Sequence, residues 1–181
     1  MSSNRNSLQE LERLAKAAYD DSRLEDCIEH YSDLREAYWG LGDRAKAAEM
    51  ANNLCVVLLQ TQDAHRALEW VRGTPELFLS LGDEMHAAQA FGNLGSALEA
   101  CDQISDAEIA YREAAELFAH LGDAHQHAYT LQALSRLQLR QGRPMEAVTT
   151  MQRGLEEMPK GRLRDRLLRR LLKWPFRLLG R

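Results

Sequence analysis

Apolar residues recur at spacings of three and four along most of the chain, which is the pattern of one face of an α-helix. Between 84 and 100 they are Ala87, Ala90, Phe91, Leu94, Ala97 and Leu98. Short polar or Gly-containing turns separate such runs, at 20–22, 61–63, 101–103 and 141–143. The pattern predicts an all-α chain built from helical hairpins.

The hairpins recur at a fixed interval. Leu41-Gly42-Asp43 returns as Leu81-Gly82-Asp83 and Leu121-Gly122-Asp123, 40 residues later each time. The glycine can adopt the left-handed conformation that ends a helix, and the aspartate can cap the next one. We therefore expect an α-solenoid domain of four helix-turn-helix repeats, 3–162, followed by a different segment, 163–181. The four repeats are 3–42, 43–82, 83–122 and 123–162.

Two positions in each repeat are small, one in each predicted helix, as close helix crossing requires. They are Ala15, Cys55, Gly95 and Ser135 in the first helix, and Cys27, Ala67, Ala107 and Ala147 in the second. One repeat departs from the pattern, because Gly73-Thr74-Pro75 interrupts its second helix. Proline removes a backbone donor and clashes one turn back, so a break is expected near 72–74.

With the small positions aligned, the repeats resemble tetratricopeptide repeats. The motif residues of that family fall on Leu94-Gly95, Ala107, Tyr111, Gly142 and Pro159. The usual period is about 34 residues, and the longer period here resembles kinesin light chains and the Leu-Gly-Asn adaptors of cell polarity. Asn93-Leu94-Gly95 stands where those proteins carry Asn-Leu-Gly. The resemblance covers residues 3–162 and implies a right-handed superhelix in which the first helix of each repeat lines a concave groove.

The resemblance implies a protein-interaction scaffold or adaptor that binds a protein or peptide segment in this groove. Asn53 and Asn93, one period apart, resemble the asparagines that hold a peptide backbone in the longer-repeat relatives. An amide can donate to a C=O and accept from an N–H, so it can bind a main chain of any sequence. The alternative is that both are surface amides bonded to water or to a neighbouring helix. The predicted groove residues are Glu49, Asn52, Asn53, Gln89, Asn93, Ser96 and Arg136.

The Lys/Asn/Arg clamp that binds chaperone C-terminal carboxylates is not reproduced. Asn53 matches the clamp, but Glu12, Gln89 and Asn93 stand where it has basic residues. An Hsp70 or Hsp90 co-chaperone is therefore disfavoured.

The segment after the repeats carries most of the charge asymmetry. Residues 160–181 hold nine basic residues and one acidic, whereas the other 159 hold 14 basic and 26 acidic. Leu163, Leu167, Leu168, Leu171 and Leu172 form one stripe of a basic amphipathic helix, which is typical of a cap on a solenoid end. The alternatives are attachment to an anionic membrane surface or self-association with the acidic body. Contacts to such a membrane or partner are expected from Arg166, Arg169, Arg170, Lys173, Trp174 and Phe176.

Composition and motifs argue against catalysis. The chain has no phosphate-binding glycine loop and no defensible Ser/His/Asp arrangement, so we expect a protein that is not an enzyme and that has no cofactor. His120, Asp123, His125 and His127 lack a regular ligand spacing, so no metal site is expected. Cys27 and Cys55 occupy small core positions, and Cys101 lies at a turn with no histidine partner expected.

Charge and cysteine usage also bear on partners and compartment. The net charge is −4 and no nucleic-acid-binding motif is present, so nucleic acid is not expected as a partner. Three cysteines, and no apolar stretch near the N-terminus, favour a cytoplasmic protein, with peripheral membrane attachment as the alternative.

Overall fold

The computed structural model describes the backbone of residues 2–157 and the side chains of residues 7–156. Within that part of the chain the protein is all-α, and no strand is present. The helices are α1 (Ser2–Asp20), α2 (Leu24–Gly40), α3 (Arg44–Gln60), α4 (Ala64–Val71), α5 (Thr74–Ser80), α6 (Glu84–Ala100), α7 (Ile104–His120), α8 (Ala124–Arg140) and α9 (Pro144–Glu157). The sequence-based prediction of an all-α helical-repeat fold is confirmed.

Helix starts are evenly spaced. A helix begins every 20 residues from Leu24 to Pro144, in the order α2, α3, α4, α6, α7, α8 and α9. A residue with positive φ precedes each start by two positions: Gly42 and Gly82 have φ of 78° and 74°, and the non-glycine residues Gln62 and Asp102 have 64° and 58°. Asp43, Asp83 and Asp123 each accept a hydrogen bond from the backbone N–H three residues later, at 3.0–3.1 Å. The Leu-Gly-Asp unit therefore ends one helix and caps the next, as predicted.

The expected break in the second repeat is present. Helix α4 ends at Val71, Gly73 takes a left-handed conformation with φ of 81°, and α5 begins at Thr74 with Pro75 in its first turn. Proline is accepted there because the first N–H groups of a helix have no intrahelical partner. The Thr74 hydroxyl donates to the Val71 carbonyl at 2.8 Å, which satisfies an acceptor at the end of α4.

The chain divides into two compact units, residues 1–107 and 108–181. The core of the first unit contains two apolar clusters, one around Leu34 and Met50 and one around Cys27 and Val57. The small positions predicted to allow close helix crossing are buried: Ala15, Cys55, Cys27 and Ala67 are each 0% exposed.

Two tryptophans and two arginines form an alternating stack on the first unit. The Arg44 guanidinium lies 3.5 Å from the centre of the Trp39 ring, and Arg35 lies 4.8 Å from Trp39 and 5.1 Å from Trp70. Arg35 and Trp39 are four residues apart on α2, and Trp70 is on α4. We refer to Arg44, Trp39, Arg35 and Trp70 as the Arg–Trp stack, and its contact between Arg35 and Trp70 joins α2 to α4.

The second unit packs α9 closely against α8. A Cβ added to Gly154 would lie 3.4 Å from the Ala128 Cα and from Leu131, so this glycine allows the near approach of the two helices. The large buried apolar residues of the second unit include Tyr111, Phe118, Leu131, Leu134, Leu137, Met151 and Leu155.

Candidate protein-binding site

The first helices of successive repeats lie side by side in the first unit. Lys46 Nζ of α3 is 3.8 Å from Glu12 Oε1 of α1, and Gln60 Nε2 donates to the Tyr19 hydroxyl at 3.0 Å. On the other side of α3, Asn93 Nδ2 of α6 donates to Asn52 Oδ1 at 3.3 Å. We call the solvent-facing surface of α1, α3 and α6 the A-helix face. Six of the seven predicted groove residues are on α3 and α6.

Asn52 is buried beneath the A-helix face and is not part of its accessible surface. Its side chain is 8% exposed, and its Nδ2 donates both to the Ala48 carbonyl at 3.0 Å and to Thr74 Oγ1 at 3.1 Å. Asn93, Asn52 and Thr74 therefore form a hydrogen-bonded chain from α6 through α3 to the start of α5. A groove residue predicted from the sequence thus also stabilises the helix break.

Three carboxamides remain on the A-helix face with unused hydrogen-bonding capacity. Gln89 is exposed and Asn53 is partly exposed, and among the described residues neither side chain has a hydrogen-bond partner. Asn93 spends one N–H on Asn52, and within the described residues its Oδ1 accepts nothing. Gln89 and Asn93 are four residues apart on α6 and so lie on the same side of that helix.

Glu49 and Ser96 are engaged with local partners. Glu49 Oε2 lies 3.0 Å from Lys46 Nζ, and this hydrogen bond is the main cause of a raised pKa for Lys46. Ser96 Oγ donates to the Gly92 carbonyl at 3.0 Å, the back-bond of a serine inside a helix. Lys46, which the sequence analysis did not include, adds a cation to this face.

The remaining predicted contacts are elsewhere. Arg136 is exposed on α8, in the second unit. Arg166, Arg169, Arg170, Lys173, Trp174 and Phe176 lie outside the described residues. Capping, membrane attachment and self-association through 163–181 therefore stay predictions, as does the single solenoid domain over 3–162. A membrane-spanning helix is not found among the described residues.

The cysteines occupy contrasting environments. Cys27 and Cys55 are fully buried, and burial raises the pKa of both thiols, that of Cys55 to about 12. The expectation that Cys101 has no histidine partner is wrong, because its Sγ lies 3.8 Å from His65 Nδ1. The two residues lie beside different inter-helix turns and are 36 positions apart in the sequence, so no local motif could predict the contact.

The histidines near 120–127 point to different surroundings. His125 is exposed and packs on Tyr129 with ring centres 4.9 Å apart, whereas His127 is 4% exposed. In the part of the chain that the structure describes, no group of three His, Cys, Asp or Glu side chains is placed to hold a metal ion.

The second unit has a concave feature that the sequence analysis did not predict. A pocket of about 530 Å³ lies between α7 and α9, with α8 as its floor. The sequence feature that could have indicated this pocket is Gln138, a polar residue one period after the buried Leu98.

Comparison with solved structures places the chain among helical repeat proteins, although no family model and no curated protein matches it. BtubC (BKLC) from P. vanneervenii is similar with a TM-score of 0.71 and 20% identity, over 82% of this chain and 65% of that chain. The TPR-like repeats of a Podosopora anserina kinesin light chain protein give a TM-score of 0.73 at 10% identity, over 97% of this chain and 98% of that one.

A third similar structure is that of a peptide complex. The Rap conjugation gene regulator of plasmid pLS20, solved with the Phr* peptide, gives a TM-score of 0.68 at 15% identity. The match covers 92% of this chain and 47% of Rap, so the chain spans under half of that protein's length. At these identities the likeness concerns the fold, and the chain has the fold of tetratricopeptide-like repeat proteins.

Proposed function

We propose that the chain is a non-enzymatic protein-interaction module that binds an extended protein or peptide segment on its A-helix face. The observation that carries the proposal is the set of carboxamides on that face, Asn53, Gln89 and Asn93, whose hydrogen-bonding groups are left over after folding.

These amides suit a main chain as ligand. Each can donate an N–H and accept on an oxygen, which matches the alternating C=O and N–H groups of an extended peptide. Asn93 is also held in place before binding, because its bond to Asn52 restricts its rotamers and so reduces the entropy lost on binding.

The charged residues of the A-helix face indicate which peptide sequences should bind best. Lys46, Glu49 and Glu12 form a linked group at the α1–α3 junction, with Lys46 3.0 Å from Glu49 and 3.8 Å from Glu12. The carboxylates outnumber the cation there, so a segment with a basic residue beside its extended stretch is favoured.

The similarity to Rap supports the same class of ligand, since that structure contains a bound peptide. The proposed function is therefore that of a peptide-binding adaptor.

The experiment is selection of a binding peptide followed by calorimetry. A display library of random 12-residue peptides is selected on the full chain, and the selected peptide is titrated into the wild type and into the Asn53→Ala/Asn93→Ala double variant. Loss of two neutral hydrogen bonds is expected to weaken affinity about tenfold or more.

The matched control is Gln152→Ala, which removes an exposed carboxamide from α9 in the second unit. It should leave affinity unchanged. Equal affinity of the wild type and the double variant, with unchanged helicity, would remove the A-helix face from the proposal.

A further inference from the structure

The pocket between α7 and α9 is large enough for a side chain with a ring system. Its volume of about 530 Å³ falls inside the range of roughly 300–1,000 Å³ that is common for ligand sites. Its walls and floor combine apolar and polar groups, including Ala115, Ala119, Leu131, Leu134, Gln138 and Thr150.

The repeat explains why the pocket exists. Arg35, Trp39 and Trp70 contact one another at the equivalent place between α2 and α4 in the first unit. Two periods later the same positions hold Ala115, Ala119 and Thr150, and all three line the pocket. Small side chains therefore leave open in the second unit the space that two indoles and a guanidinium occupy in the first.

One of the residues that line the pocket, Gln138, has an unsatisfied acceptor. Gln138 is 2% exposed, and within the described residues its Oε1 has no hydrogen-bond partner. The equivalent residues of the other three repeats are Ala18, Leu58 and Leu98, which are apolar and 0–6% exposed. A buried carbonyl oxygen without a donor is costly, so an amide at this otherwise apolar position points to a donor that arrives from outside the described residues.

An indole meets these requirements. It has a large apolar body for the alanine and leucine walls and one N–H, which can donate to a buried oxygen. The rim of the pocket carries charges of both signs, from Arg112, Glu116, Glu146 and Arg153.

The chain itself contains one further tryptophan. Trp39 and Trp70 are in the Arg–Trp stack, and the third, Trp174, follows Lys173 and precedes Phe176-Arg177. Helix α9, which forms one wall of the pocket, ends at Glu157, 17 residues before Trp174. A chain of that length reaches up to about 55 Å, more than twice the roughly 21 Å length of α9.

We propose that the α7–α9 pocket receives the indole of Trp174 from the chain's own C-terminal segment, with its N–H donated to Gln138 Oε1. This contact would give the segment 158–181 a specific attachment to the second unit. It is independent of peptide binding on the A-helix face, which lies in the first unit.

The test uses the full chain labelled with 5-fluorotryptophan. The Trp174 ¹⁹F resonance is assigned with Trp174→Phe, and its exposure is measured by the broadening that a soluble paramagnetic agent causes. In the wild type the Trp174 resonance is expected to be protected, as that of a buried ring, at all protein concentrations.

Two pocket variants probe the contact in different ways. Gln138→Leu removes the acceptor and should lower the ratio of docked to free Trp174 about fivefold. Ala119→Leu fills the cavity and should make Trp174 as accessible as free tryptophan. Ala45→Leu, at an exposed site on α3, is the matched control and should change nothing.

Three results would overturn the proposal. The Trp174 resonance could be fully accessible to the paramagnetic agent in the wild type, as expected if the segment 158–181 binds a membrane instead of the pocket. Its protection could survive both pocket variants while their melting curves match the wild type. Or the protection could disappear on dilution, which would assign the indole to a second copy of the chain.

Discussion

Asn93 Nδ2 of α6 donates to Asn52 Oδ1 of α3 across 3.3 Å, and this bond joins two helices whose residues are 41 positions apart. Asn52 passes the connection on to Thr74 Oγ1 at 3.1 Å. The same side chains that the sequence marks as groove residues therefore determine how the second repeat accommodates its broken helix.

The two asparagines should differ in their contribution to stability. Asn52 is 8% exposed, so Asn52→Ala leaves a small cavity. It also removes the N–H that donates to the buried Thr74 hydroxyl. We expect the free energy of unfolding to fall by about 1–3 kcal/mol, against less than about 1 kcal/mol for the partly exposed Asn93→Ala. Urea denaturation measures both, and equal effects would contradict the network.

The turn residues predict opposite effects of glycine substitutions. Gln62 has φ of 64°, a conformation that is strained for a residue with a Cβ, so Gln62→Gly should stabilise by about 0.5–1 kcal/mol. Gly82 has φ of 74° with no atom within 4 Å of an added Cβ, so Gly82→Ala should cost about 1 kcal/mol through the backbone alone.

Gly40→Ala is the matched control for these turn variants. Gly40 is the last residue of α2 and does not have a positive φ, and its added Cβ would also meet nothing within 4 Å. There the substitution should be neutral or stabilise by up to about 0.5 kcal/mol, because alanine favours the helix and meets no backbone strain. Thermal melting that ranks Gly82→Ala at or above Gly40→Ala would refute the assignment of backbone strain.

Glu108 should give the protein a dependence on acidic pH. Burial raises the pKa of this carboxyl, but hydrogen bonds from Arg112 and Arg143 outweigh burial and lower the pKa overall. The unfolded chain thus binds the proton more tightly than the folded one, so the stabilisation is present above the unfolded pKa of about 4.3 and is lost as the pH falls through the lower folded value.

Replacing Glu108 tests that sign. Glu108→Gln should reduce the free energy of unfolding by about 1–2 kcal/mol at pH 7, because two arginines lose a charged acceptor, and much less at pH 3. Urea midpoints between pH 3 and 7 measure the difference. Glu113→Gln, an exposed carboxylate on α7, is the control, and parallel curves for wild type and Glu108→Gln would contradict the assignment.

The three thiols should react in a fixed order. Cys101 is partly exposed, whereas Cys27 and Cys55 are 0% exposed with raised thiol pKa values, about 12 for Cys55. A disulfide reagent at pH 8 should label one thiol rapidly in the folded protein and three in denaturant, because the thiolate is the reactive form. Cys101→Ser should abolish the rapid phase; if it persists, one of the two buried positions opens readily.

Features that depend on nearby residues could be predicted from the sequence. The hairpins follow from apolar spacing, and the positive-φ turn at Gly82 with its Asp83 cap follows from residue types that suit those conformations. The break before Pro75 was predictable because proline acts on its own turn of helix.

Features that depend on register between helices could not be predicted in this way. Asn52 lies 22 positions from Thr74, and Cys101 lies 36 from His65. Such pairs meet only once crossing angles and axial shifts are fixed, and these depend on the summed packing of many side chains. For the same reason Asn53 keeps free amide groups whereas its neighbour Asn52 is bonded inside.

The even spacing of the helix starts has an evolutionary consequence. Because each turn from Gly42 to Gly142 returns the backbone to a comparable left-handed conformation, a duplicated 40-residue stretch would re-enter the array in phase with its neighbours. Copying can thus lengthen such a protein without inventing a new junction. Later substitutions in one copy can then create a new site, as where the Arg–Trp stack of the first unit corresponds to the open α7–α9 pocket of the second.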